Sequence, residues 1–200
     1  MHTIADTLTA VEFPILEREG LVYLDSAATA QKPRAVVEAM EDLLLRHNSN
    51  VHRGTYPLAV EATDLYEGAR ERVAAFTGST APETIFTKNA TEAINLVAHS
   101  WGRANLGAGD VVVLTEMEHH SNIVPWQLVA QAVGAELRWL DVDDDGQVDL
   151  AQLDAHLADG RVRMVAFAHV SNVLGTINPV AEIIARARSE ERRVGKECRL

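Results

Sequence analysis

The sequence predicts an α/β fold organised around a largely parallel sheet, and three observations lead there. From residue 84 onward short apolar runs alternate with helical ones: TIFT then TEAINLVAHSW, DVVVLT then SNIVPWQLVAQAVG, ELRWLDV then DLAQLDAHLAD, RMVAFAHV then PVAEIIARAR. Runs such as VVVL and MVAFA carry no polar alternation, as expected of strands covered on both faces. The 200 residues are 47% hydrophobic, enough to bury a core of ordinary domain size.

Ahead of that alternation lie two helical stretches. One spans 34–47, RAVVEAMEDLLLRH. In the other, Leu58, Ala62, Leu65, Ala69, Val73 and Phe76 recur at spacings of three and four, which places them on one helical face; Pro57 opens this helix and Gly78 closes it. No repeat or Pro- or Ser-rich linker interrupts the chain before its last ten residues, so one continuous folded stretch is expected.

Composition narrows the function classes. The 29 acidic against 18 basic side chains give a formal net charge of −11, which repels phosphate backbones and argues against nucleic acid as a partner. No segment reaches the about 18 consecutive apolar residues that a membrane helix needs, and MHTIADTLTAVEF has neither the basic nor the apolar part of a leader, so no membrane role and a cytoplasmic location are expected. A single cysteine, Cys198, excludes an internal disulfide.

In parallel sheets ligands sit beyond the carboxyl ends of the strands, so the segments that follow each apolar run are the places to look. Lys88-Asn89-Ala90-Thr91-Glu92 enters a helix and offers free backbone N–H groups and a hydroxyl to an anion; it reads equally as an ordinary helix start capped by Asn89 or Thr91. In Glu118-His119-His120-Ser121-Asn122, neighbouring histidines on an extended chain point to opposite sides, so only one faces the crevice. They make a poor metal pair without an HExxH or CxxC partner set, and polar loop residues are the plainer account. His169-Val170-Ser171-Asn172 brings an amide side chain to the same sheet end, or simply forms a turn. Asp141–Gly146 resembles the opening of a calcium loop, but Gln152 stands where that loop requires a bidentate Glu, so a solvated turn between strand and helix is expected.

Taken together, LVYLDSAATAQKP (21–33), NSNVHRG (48–54), TKNATEAINLVAHSWG (87–102), TEMEHHSNIVPWQ (115–127) and HVSNVLGTINPV (169–180) resemble the group II, SufS-type cysteine desulfurases of the class V aminotransferase family, from about Phe13 to Arg188. The resemblance implies part of a large domain of the fold type I pyridoxal 5'-phosphate (PLP) transferases, incomplete here, at 21–190, preceded by an N-terminal arm at 1–20. It implies PLP as cofactor, with the residue matching His119 stacked on the pyridine ring and placed to help proton transfer. It further implies that Asn172 bonds the phenolic oxygen, and that Thr91 with the backbone of Ala90 holds the phosphate. Ala27 and Ala28 match a small-residue loop near the substrate carboxylate, and His52 and Arg53 a segment that reaches the partner subunit's site across a homodimer interface. Tyr56 stands where many relatives carry His. The implied reaction converts L-cysteine to L-alanine and leaves a persulfide on the enzyme, for delivery to a sulfur-acceptor protein and iron–sulfur assembly.

Relatives of that kind hold PLP as a Schiff base on a Lys that follows a His, and their nucleophilic Cys comes later still. The three lysines here, Lys32, Lys88 and Lys196, match none of that pattern, so the 200 residues are expected to be inactive alone. The tail at 191–200, ERRVGKECRL within its charged run, reads as a non-family, artefactual segment rather than fold. Another class V PLP enzyme, such as a selenocysteine lyase, or a non-catalytic α/β binding module are the alternatives.

Overall fold

The computed structural model describes residues 12–188, in two compact units that divide between Thr84 and Ile85. The tail at 191–200 and most of the arm lie outside the described residues.

The first unit is helical. Helix α1 (Arg34–Asp42) runs into a π-helical turn at Leu43–His47, and α2 (Pro57–Thr77) follows. Pro57 occupies the first turn of α2, where its missing N–H costs nothing, and Gly78 ends the helix in the left-handed region at φ 70°. Both punctuation marks fall where the sequence puts them. The predicted apolar stripe of α2 behaves otherwise: Ala59, Ala62 and Ala74 are buried, whereas Leu65, Val73 and Phe76 are exposed. The loop before α2 is tied to it by the His52 amide, which donates to Thr63 Oγ1 at 2.9 Å, and by His52 Nε2 at 2.5 Å from Glu67 Oε1. In this loop Gly54 leaves no room for a side chain, since a Cβ there would stand 2.2 Å from the Cβ of Ala59.

The second unit carries the sheet: β1 (Val111–Thr115), β2 (Glu136–Leu140) and β3 (Val162–Ala166), all parallel, in the order β2-β1-β3. The helices are α3 (Ala90–Val97), α4 (Arg103–Asn105), α5 (Val124–Val133), α6 (Leu150–Ala158) and α7 (Val180–Arg188). Strand β1 is buried along its whole length because both of its faces are covered. Val111 and Val113 pack with Leu153, Leu157, Ile183 and Ala187 from α6 and α7; Val112 and Leu114 pack with Ala98, Trp126 and Val129 on the side of α5. An uninterrupted apolar run is what a central strand between two helical layers requires.

Two expectations are corrected. TIFT at 84–87 lies outside the sheet, with Ile85 and Phe86 exposed; an apolar run becomes a strand only when a neighbour takes up its backbone groups, and the three-stranded ladder does not include it. The run MVAFA is covered on both faces only in part, because β3 stands at an edge of the sheet, with Val165 buried and Met164 and Ala166 half-buried. The predicted helices after each of the later runs are present, although the one at TEAINLVAHSW turns π-helical at Ala98–Gly102.

Charge gathers at the amino ends of the strands. Arg138 bridges Glu136 and Asp159, Arg161 reaches the same two carboxylates, and Arg163 pairs with Asp110. These ties leave the opposite, carboxyl rim for other uses.

Candidate functional site

The three strands end flush, Thr115 beside Leu140 and Leu114 beside Ala166, so the segments that follow them leave from one rim. The chain after β1 turns into α5 on one face of the sheet, whereas the chain after neighbouring β3 turns into α7 on the other. Adjacent strands whose connections part to opposite faces leave a crevice between their carboxyl ends, the place where open α/β sheets hold ligands.

A cavity of about 230 Å³ at this rim is lined by Glu116, Met117 and Glu118 after β1, Val142 after β2, and Val173 and Leu174 beyond β3. Segments from all three strand ends thus meet. The turn after β2 adjoins the third segment so closely that a Cβ at Gly146 would lie 2.9 Å from Thr176 Oγ1. That turn has the solvated form the sequence suggests: Asp143 Oδ1 accepts from the amides of Asp145 and Gln147, and Val142 bridges to Val148. Gln152, at the critical position of the calcium-loop comparison, is bonded instead to Asp141.

His119 is exposed and extended (φ −68°, ψ 145°), and it caps the 3-10 turn His120–Asn122. Its Nδ1 accepts from the Ser121 amide at 3.1 Å and lies 2.8 Å from Ser121 Oγ. A backbone N–H can only donate, so the neutral ring carries its proton on Nε2, the nitrogen left outward. The two histidines are not on opposite sides: the 3-10 turn beginning at His120 breaks the extended run, and the rings meet edge to face at 6.3 Å.

Thr91 is exposed in the first turn of α3, and α3 packs against the His120–Asn122 turn. Asn89 is the cap; its side chain accepts from the Glu92 amide at 2.9 Å, and the Glu92 carboxylate accepts from the Lys88 amide at 2.6 Å. The amides of Ala90 and Thr91 and the Thr91 hydroxyl remain as donors at the positive end of the helix.

Asn172 is exposed in a turn between Ser171 and Gly175, beside the cavity-lining Val173. Ser171 closes this turn by accepting from the amides of Val173 and Leu174, and Val170 bridges to Ile177 beneath it. Ala27 and Ala28 lie in an exposed turn of the first unit, where the Ala28 amide donates to the Asp25 carbonyl. His52 has φ 71°, a conformation few side chains adopt, and faces Tyr66 edge to face at 5.5 Å; Arg53 follows it in the same turn.

The residue the motif reading passed over is Glu118. It is buried, and its Oε1 accepts from Thr115 Oγ1 at 2.5 Å and from the Ala168 amide at 2.8 Å, while Oε2 accepts from Asn122 Nδ2 at 2.8 Å. Asn178, also buried, donates to the Ala168 carbonyl at 2.7 Å. A second carboxylate three residues past the run VVVLT, with a Met between it and Glu116, was the available signal, since buried acids need partners. It sat unremarked beside the two histidines.

Comparison with known proteins fits this architecture. The model of the family described as Aminotransferase class-V matches residues 22–194. A probable cysteine desulfurase from Halalkalibacterium halodurans is 56% identical over 176 residues, 86% of this chain and 43% of the relative. A cysteine desulfurase from Enterobacter sp. strain 638 is 51% identical over 181 residues, 88% of this chain and 44% of the relative. Among solved structures, the apo cysteine desulfurase from Thermococcus onnurineus NA1 superposes with a TM-score of 0.86 at 38% identity, covering 96% of this chain and 46% of that one. The cysteine desulfurase CsdA from Escherichia coli gives 0.81 at 37% identity, covering 97% and 48%. The chain spans less than half the length of the curated relatives it matches. With the family match running through both units and through every segment of the rim, this chain belongs to the class V aminotransferases.

Proposed function

We propose that these residues form the front part of the PLP-binding large domain of a cysteine desulfurase, which takes sulfur from L-cysteine, leaves L-alanine and passes the sulfur as a persulfide to an acceptor protein. The observation that carries the reading is the shared rim: the loops after β1 and β3 are bonded to each other, line one cavity, and have α3 packed beside them. The relatives' names supply the reaction; the rim supplies the donor set.

The donors suit PLP. A phosphate takes the amides of Ala90 and Thr91 and the Thr91 hydroxyl, where the helix end favours negative charge. His119, with Nδ1 engaged by Ser121, would face the ring and would have Nε2 for proton exchange. The Asn172 amide donates to the phenolic oxygen from the turn that Ser171 closes. When bound, PLP supplies an electron sink for the bond-breaking at the substrate. Ala27, Ala28, His52 and Arg53 are assigned to the substrate side, the last two across a homodimer interface.

Titration of PLP into the 200-residue chain, followed by absorbance and by mass spectrometry after hydride reduction, tests the reading. Saturable, reversible binding that weakens in the Thr91→Val and His119→Ala variants is expected, with no adduct fixed on Lys32 or Lys88 and no sulfide released from cysteine. Absence of saturable binding, or binding indifferent to both substitutions, would overturn it.

A further inference from the structure

We propose that Glu118 is a positioning residue: its buried carboxylate couples the loop carrying His119 to the loop carrying Asn172 and sets the spacing of the rim between them. The inference deepens the reading of the rim as a PLP site and rests on it for its consequence, though the coupling itself is a matter of this chain's own hydrogen bonds.

The bonds leave little freedom. Glu118 meets donors only: the Thr115 hydroxyl at 2.5 Å, the Ala168 amide at 2.8 Å and the Asn122 side-chain N–H at 2.8 Å. Asn122 cannot turn its oxygen toward Glu118, because that oxygen accepts from the Trp126 indole at 3.0 Å, and an indole N–H has no acceptor role. One side of the network therefore runs from the core at Trp126 through Asn122 to the carboxylate, and holds the turn that His119 caps.

The other side runs to Ala168, whose peptide is gripped twice. Its N–H goes to Glu118, and its carbonyl accepts from buried Asn178, whose own amide donates to the His169 carbonyl at 2.8 Å. Ala168 is four residues ahead of Asn172. Since the connections after β1 and β3 part to opposite faces of the sheet, the carboxylate links the two loops across the crevice, with the Asn178 side-chain N–H on Met117 Sδ at 3.4 Å as a second, weaker tie. A Gln at this position presents an N–H group to a donor that cannot reverse, so charge and acceptor count matter here beyond shape.

Amide and imidazole NMR on the full 200-residue chain, with PLP as the probe for binding, tests the coupling. In Glu118→Gln the resonances of Ala168 to Asn172 and of His119 to Asn122 move together, and PLP binds about tenfold more weakly. In Asn122→Ala, which leaves Thr115 and Ala168 on the carboxylate, the changes stay within 119–126. Changes confined to 119–126 in Glu118→Gln as well would overturn the coupling. Should Glu118→Gln fail to fold, Thr115→Val, which strips one donor from the oxygen that Ala168 also uses, must still shift the Ala168 amide; an unmoved amide sinks the proposal. If the wild-type chain binds no PLP while both loops answer to Glu118, the cofactor reading falls and the coupling stands.

Discussion

The two units use similar sequence patterns and reach different ends. In the second, the apolar runs are buried: β1 lies wholly inside, with α6 and α7 on one face and α5 on the other. In the first, helix α2 shows an apolar repeat as regular as any in the chain, yet buries only alanines, and Phe76 is 92% exposed. Periodicity reports that a helix has an apolar face. It does not report what covers that face, which a central strand settles by needing two layers.

The largest test of this contrast falls on the central strand. Leu114 is fully buried beside Trp126 and Val129, so Leu114→Ala removes apolar contact and leaves a cavity in a layer that cannot easily close over it. A loss of about 3 kcal/mol in urea unfolding is expected. A loss below about 1 kcal/mol, the scale of an exposed site, would erase the distinction between the units.

A smaller effect tests the opposite end of the same sheet. Asp159 is held down at about 2, chiefly by the Arg161 backbone amide at 2.9 Å and then by Arg138. Glu136 is lowered too, first by Arg138. Because the folded Asp159 titrates below its ordinary 3.8, its contribution to stability is full above that value and disappears as the pH falls toward about 2. In Asp159→Asn the gap in urea midpoint from wild type is open at pH 5 and closes on acidification through that window. A gap that stays constant from pH 5 to pH 2 would show that the carboxylate's charge is irrelevant to the sheet end.

How much of this was legible depended on whether a residue's role was local. Pro57 and Gly78 bracket α2 as read, and Asn89 caps α3, because each acts on its own backbone. The continuous run in DVVVLT announced a doubly covered strand correctly. TIFT carried the same local signal and lies outside the sheet, since pairing is decided by partners far away in the chain. The rim followed the same rule. His119, Thr91 and Asn172 stood out by residue type and motif; the segments carrying His119 and Asn172 follow β1 and β3 at one end of the sheet, whereas Thr91 opens α3, which packs against the His120–Asn122 turn. Glu118 did not stand out, because its partners are Ala168, fifty residues away, and Asn122, whose orientation depends in turn on Trp126. A side chain whose value lies in a long-range bond carries no short-range mark.

The smallest expected effect is the sharpest test of the first unit. Phe76 belongs to the last turns of α2 and is almost wholly exposed, so Phe76→Ala gives up little buried area and gains helix propensity, and the two terms nearly cancel. Urea unfolding is therefore expected to change by no more than about 0.5 kcal/mol. A substantial loss, of about 2 kcal/mol or more, has one physical source, burial of the ring in solution. That outcome would mean that the face the repeat describes is covered after all, and the contrast between the units would become one of which surface does the covering rather than of whether the face is buried.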